Sequence, residues 1–103
     1  MYVAIRLYDG VKSPDEATAK VQKEFLPVIC AVPGFHEYYA VNTGDGTMAS
    51  VSVFKDKPGA DASVQAATKW VKENMSKFLP NPPKAINGEM VAHKIAETKK
   101  VAA

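Results

Sequence analysis

Cysteine occurs once, as Cys30. No intrachain disulfide can form. Cys30 falls in an expected helix and reads as a small packing residue; a catalytic thiol would need a positioned histidine and a lowered pKa. Histidine occurs only as His36 and His93. They stand far apart without clustered acids or thiols, which excludes metal-ligand spacing. No run approaches the ~20 apolar residues of a membrane span. A basic n-region and an apolar h-region are both missing from the start. The expectation is a soluble cytoplasmic protein with no membrane role. Net charge is only +2, and no Lys/Arg cluster is interleaved with aromatics, so nucleic acid is not an expected partner. Gly44-Asp45-Gly46 lies between two strand patterns, so it is a hairpin turn rather than a phosphate-cradling loop. No internal repeat is present.

What is present suffices for one domain. The 103 residues are 47% hydrophobic, inside the globular range. Tyr2 to Tyr8 alternates, with Val3, Ile5 and Leu7 on one face and Tyr2, Ala4, Arg6 and Tyr8 on the other. Ser13-Pro14-Asp15-Glu16 predicts a helix start with a capping box. Ala17, Val21, Phe25, Ile29 and Val32 then share one helical arc. Pro27 should kink the last turns, and Pro33-Gly34 ends them. His36 to Asn42, the turn Thr43–Thr47 and Met48 to Phe54 form a β-hairpin. Residues 55–59 read as a loop, with Asp61 or Ser63 capping the second helix. Its inner arc runs through Val64, Ala67, Val71, Met75 and Phe78. Trp70 borders that arc and Asn74 lies within it. The prolines at 80, 82 and 83 make a connection, and Ala85 to Lys94 reads as a last strand with Gly88 as a bulge.

The order β-α-β-β-α-β specifies an α+β, ferredoxin-like split βαβ fold: a four-stranded antiparallel sheet with two helices on one face. Residues 1–94 make this single domain, with 95–103 as a tail. Two helices cover one side, yet the first two strands carry apolar or aromatic residues on both. A second copy of the chain is the economical cover, giving a homodimer. Whether the His36/Tyr38 face or the Glu37/Tyr39 face meets the helices stays open.

Residues 1–94 resemble the antibiotic-biosynthesis-monooxygenase-like group of dimeric α+β-barrel proteins. The entry Val32-Pro33-Gly34-Phe35-His36-Glu37-Tyr38-Tyr39, the Gly-Asp-Gly turn, Val53-Phe54-Lys55-Asp56 and the helical Trp70 carry the resemblance. It implies the fold strongly and the chemistry weakly, because the group spans monooxygenases, haem-degrading enzymes, isomerases and members without known activity. Its cofactor-free monooxygenases bind an aromatic, acidic substrate between sheet and helices, with a helical Trp and an Asn one turn before it. Here Ala66 precedes Trp70 by one turn and Asn74 follows it. Haem-degrading relatives use an Asn on the first strand and a His soon after the Trp. This strand offers Arg6 and Tyr8, and no His lies between His36 and His93. Haem degradation is therefore rejected, and no cofactor is expected.

Five residues are candidates for binding a small aromatic ligand. Trp70 is either core or pocket wall. Asn74, a buried amide, either bonds backbone or lines a cavity. His36 either sits exposed at a strand start or acts as base or donor. Tyr38 shares its face. Arg6 binds a carboxylate or phenolate, or makes a surface or interface ion pair. His93 reads as structural. Two functions follow: a cofactor-independent monooxygenase acting on an aromatic or enolisable molecule, or a non-catalytic ligand-binding or structural homodimer.

Overall fold

The alternation of residues 2–8 becomes strand β1, Tyr2–Tyr8, in the computed structural model, which describes residues 1–96. Of the tail expected over 95–103, residues 97–103 lie outside the described residues. Helix α1, Pro14–Lys20, runs without a break through a π-helical turn, Val21–Phe25, into α2, Leu26–Cys30. Then come β2, Phe35–Asn42, β3, Met48–Phe54, α3, Lys57–Asn74, and β4, Lys84–Glu89. The sheet order is β2-β3-β1-β4, every pair antiparallel. This is the ferredoxin-like α+β architecture expected from the sequence.

The π turn explains how Pro27 sits inside a helical run. Proline has no N–H for the carbonyl four residues back, and its ring crowds that carbonyl. Here the Leu26 N–H reaches back five residues to the Val21 carbonyl. The wider turn absorbs the clash, so the run continues through the proline.

Three local expectations are corrected. Ser13 adopts φ 49° and its side chain makes no capping bond; the helix does begin at Pro14, but without the capping box. Helix α3 starts at Lys57, not after Asp61. Asp56 caps it, its carboxylate accepting from the Gly59 N–H at 3.2 Å. Pro58 lies in the first turn, where its missing N–H would have had no helical partner anyway. Ser63 is fully buried and donates to the Ala60 carbonyl at 2.6 Å. Finally, β4 stops at Glu89, opposite Tyr2. Its partner strand β1 begins there, so nothing remains for residues 91–94 to pair with. Gly88 lies in register with Val3 and forms no bulge.

Helix α3 packs on β1 and β3, and α2 packs on β2 and α3. Phe25, Ile29, Phe54, Ala67, Trp70 and Met75 fill the seam between layers. The Phe25 ring centroid stands 5.0 Å from Trp70 and 5.6 Å from Tyr38, within the range of favourable aromatic pairs. At Gly59 helix α3 comes close to Phe54 of β3 and to the Pro33 backbone. A Cβ there would lie 2.8 Å from the Pro33 carbonyl oxygen and 3.1 Å from Phe54 Cδ2. Alanine improves helix propensity by up to about 1 kcal/mol. Overpacking against a backbone oxygen costs about 1–3 kcal/mol and should win. Gly59→Ala is therefore expected to lower stability in urea denaturation.

The pleat answers which face meets the helices. Ala4, Arg6 and Tyr8 of β1 and Ser50, Ser52 and Phe54 of β3 are buried beneath them. Tyr38 joins these on β2, paired with Ser52. Glu37, Tyr39 and Val41 pair with Val53, Val51 and Ala49 and so share the opposite face. A bulge between Phe35 and Glu37 sets His36 out of register, and it is exposed. The opposite face therefore carries Ile5, Leu7, Tyr39, Val41, Val51 and Ile86, of which four are exposed large apolar residues.

Candidate functional site

Arg6 sits near the middle of β1, between Ser50 of β3 and Ala85 of β4. Its even-numbered position turns the side chain under the helices, where it is only 2% exposed. Neither Nε nor one terminal nitrogen, Nη1, has a hydrogen-bond partner among the described residues. Among the described residues the ion pairs are Lys20–Glu24 and Lys57–Asp61, both on the helix surface. No carboxylate lines the space around the guanidinium. Ser50 and Ser52, the neighbours across the sheet, likewise have buried hydroxyls without hydrogen-bond partners among the described residues.

These are unfavourable placements. Each unpaired buried polar group costs about 1–3 kcal/mol, and a buried unpaired charge costs several kcal/mol even after relaxation. The unpaired cation at the centre of the seam is the feature that most needs a chemical explanation.

Two adjoining chambers of about 40 Å³ each open beside it. Both are lined by Tyr8, Val21, Tyr38, Ser50 and Leu79. Arg6, Phe25, Trp70 and Val71 complete one of them; Ala17, Ala40, Met48, Ala49 and Met75 complete the other. A groove of about 280 Å³ runs outside them, between the last turns of α3 and the proline connection.

Burial pushes the Tyr38 phenol above its ordinary value of 10.0, partly offset by the Arg6 cation and by the adjacent Ser50 hydroxyl. Ser50 completes no hydrogen bond in this geometry. Tyr38 therefore remains a proton donor at neutral pH rather than a base. The folded state holds this proton more tightly than the unfolded chain does. The resulting stabilisation is present below pH 10 and is lost as pH rises through the raised value. Denaturation above pH 10 is expected to show a steeper loss of stability in the wild type than in Tyr38→Phe.

The structure brings together three of the five candidates, Arg6, Tyr38 and Trp70, around one chamber. Asn74 and His36 do not line it. Asn74 donates its side-chain amide to the Trp70 carbonyl at 3.0 Å, within its own helix. His36 is exposed at the bulge. His93 is exposed beyond the last strand. Tyr8, Ser50 and Leu79 belong to the chambers and were not singled out from the sequence. Tyr8 shared a strand face with Arg6, which was an available signal; Ser50 required the β1–β3 register. Among the described residues no group of three or more His, Cys, Asp or Glu could hold a metal ion, and no helix is long and apolar enough to cross a membrane.

No family model matches the sequence, and no curated protein matches it. Solved structures do match its shape. The NE2512 protein of unknown function from Nitrosomonas europaea is 23% identical, with a TM-score of 0.71 over 93% of this chain and 95% of that one. A monooxygenase from the gene ActVA-Orf6 of Streptomyces coelicolor, in complex with nanaomycin D, is 18% identical. Its TM-score is 0.72 over 93% of this chain and 92% of that one. A mutant of MhuD with two manganese protoporphyrin IX molecules bound per active site is 12% identical. Its TM-score is 0.69 over 93% of this chain and all of that one. The chain thus has the fold of antibiotic biosynthesis monooxygenase-like proteins, a fold that carries more than one chemistry.

Proposed function

We propose that the seam binds a small aromatic or enolisable organic anion, with Arg6 as its counter-ion, and that the protein is a cofactor-independent monooxygenase acting on that anion. The observation that carries this reading is the buried guanidinium with two unpaired nitrogens. A planar carboxylate or phenolate matches the fork of donors an arginine presents. Tyr38 and Tyr8 add phenolic donors and Trp70 an aromatic wall. The lining holds no carboxylate or histidine to act as base. The site is therefore suited to substrates acidic enough to arrive ionised, and it stabilises the anion instead of generating it.

The reaction such a site supports uses dioxygen as co-substrate. The bound carbanion or enolate passes an electron to oxygen, and the radical pair closes to a carbon-bound peroxide. Protonation and loss of water across the former methylene leave a carbonyl. One oxygen atom ends in the product and one in water. Preorganised positive charge at the developing oxyanion lowers the barrier.

A second copy of the chain covers the outer sheet face. Four large apolar side chains there, Leu7, Tyr39, Val41 and Ile86, are exposed, and an open apolar sheet face of this kind marks an interaction surface.

Calorimetric titration with 2-naphthoate and oxygen uptake with 1,3-indandione, an aromatic 1,3-diketone ionised near neutral pH, test the proposal. Saturable binding with oxygen consumption above the autoxidation rate supports it. Binding without consumption leaves the non-catalytic ligand-binding homodimer as the function. Absence of both binding and consumption overturns the reading.

A further inference from the structure

We infer that the ligand is bipartite in its placement: its anionic head enters the Arg6 chamber, and its aromatic body lies outside, in the groove beneath Pro80–Pro83. This rests on the anion-binding reading and extends it to where the rest of the molecule goes. The Arg6 chamber holds about 40 Å³, room for one or two water-sized groups. A carboxylate or oxyanion head is of that scale; an aromatic ring is not. The outer groove, at about 280 Å³, approaches the lower end of ligand pockets, roughly 300 Å³.

The groove and the chambers share walls. Tyr8 and Leu79 line the groove and both chambers, and Val71 lines the groove and the Arg6 chamber. Tyr8 is fixed in the central part of the sheet. Leu79 sits on the connection after α3, outside helix and strand. The backbone around it is tied on both sides. Lys12 N–H donates to the Phe78 carbonyl and Asn81 Nδ2 donates to Asp9, each at 2.9 Å. Leu79 is thus held at the wall that the groove and the chambers share, packed against the core.

The groove has the lining an aromatic body needs. Val71, Leu79 and the prolines supply apolar wall. Thr68 and Lys72 of α3, with Ser76 in the turn just beyond it, form the other side and are exposed. A one- or two-ring body with a single carboxylate fits this division; a free inorganic anion would use the chamber alone.

Thr68→Trp and Ser76→Trp test the inference, because both positions are exposed and a large ring there fills the groove without entering the core. Two probes are titrated, 2-naphthoate and acetate, the latter a head without a body. Circular dichroism melting checks that each variant is folded. The expected result is at least about tenfold weaker 2-naphthoate binding in both variants, equal to about 1.4 kcal/mol, with acetate affinity unchanged. Unchanged 2-naphthoate affinity in both variants, with acetate still bound, overturns the groove assignment and leaves the Arg6 reading standing. If neither probe binds the wild type, or Arg6→Met binds both as well as the wild type, the anion-binding reading itself fails.

Discussion

Arg6→Met is expected to abolish binding of an aromatic carboxylate and, at the same time, to make the free protein more stable. The two effects have one cause. Arg6 is 2% exposed, with Nε and Nη1 unpaired among the described residues. Replacing a buried charged group by an apolar side chain of similar volume is often stabilising by about 1–4 kcal/mol even when the charge is paired. Here no partner is lost, so the change should fall on the stabilising side. Methionine is flexible enough to fill the vacated length. Binding should weaken by about two orders of magnitude or more, since a hydrogen bond to a charged group contributes about 1.5–3 kcal/mol and two donors are removed. Thermal denaturation with and without 2-naphthoate reads both effects. The ligand should raise the wild-type Tm in proportion to its occupancy and leave that of the variant unmoved. A core residue with a merely structural role would show the opposite sign in the free protein. Function kept at the expense of stability is a common pattern at binding sites.

Val51→Glu should convert the proposed dimer to monomer. Val51 lies on the outer face in register with Tyr39 of β2 and Ile5 of β1, near the centre of the exposed apolar patch. A carboxylate buried there without a partner would weaken association by about 2–5 kcal/mol, roughly 30-fold to several thousandfold. The isolated fold should survive, because Val51 faces away from the helix–sheet seam. Sedimentation velocity at micromolar concentration would show the wild type as a dimer and the variant at half that mass. A monomeric wild type would remove the homodimer from this account.

The architecture was legible because it depends on periods and breaks. Alternation gave β1, the Thr43–Thr47 turn gave the hairpin, and the prolines after Leu79 gave the connection to β4. The direction of the sheet was not legible. The first two strands carried apolar or aromatic residues on both sides, so hydrophobicity could not choose the helix-facing side. The choice became visible only when Tyr38 fell opposite Ser52 and the bulge after Phe35 set His36 aside. The start of α3 was missed because Pro58-Gly59 reads as a loop in sequence. In the fold, the same pair is a helix first turn, and Gly59 lets the helix approach Pro33 and Phe54. The site was half legible. Arg6 and Tyr38 stood out as polar groups on otherwise apolar strands, and Trp70 as the aromatic beside the helical arc. Asn74 was attractive for the same reason, yet an amide on a helix has its own backbone carbonyl four residues away, and that is where it bonds.

Arg6 is the only arginine in the chain, which makes the central claim directly measurable. A nitrogen-15 spectrum of the side-chain Nε–H groups contains one arginine signal, and it reports on this site alone. Titration with 2-naphthoate should move that signal in a saturable manner, with a midpoint equal to the calorimetric Kd. If calorimetry records binding while the arginine signal stays where it was, the anion is held somewhere other than Arg6, and the account is wrong.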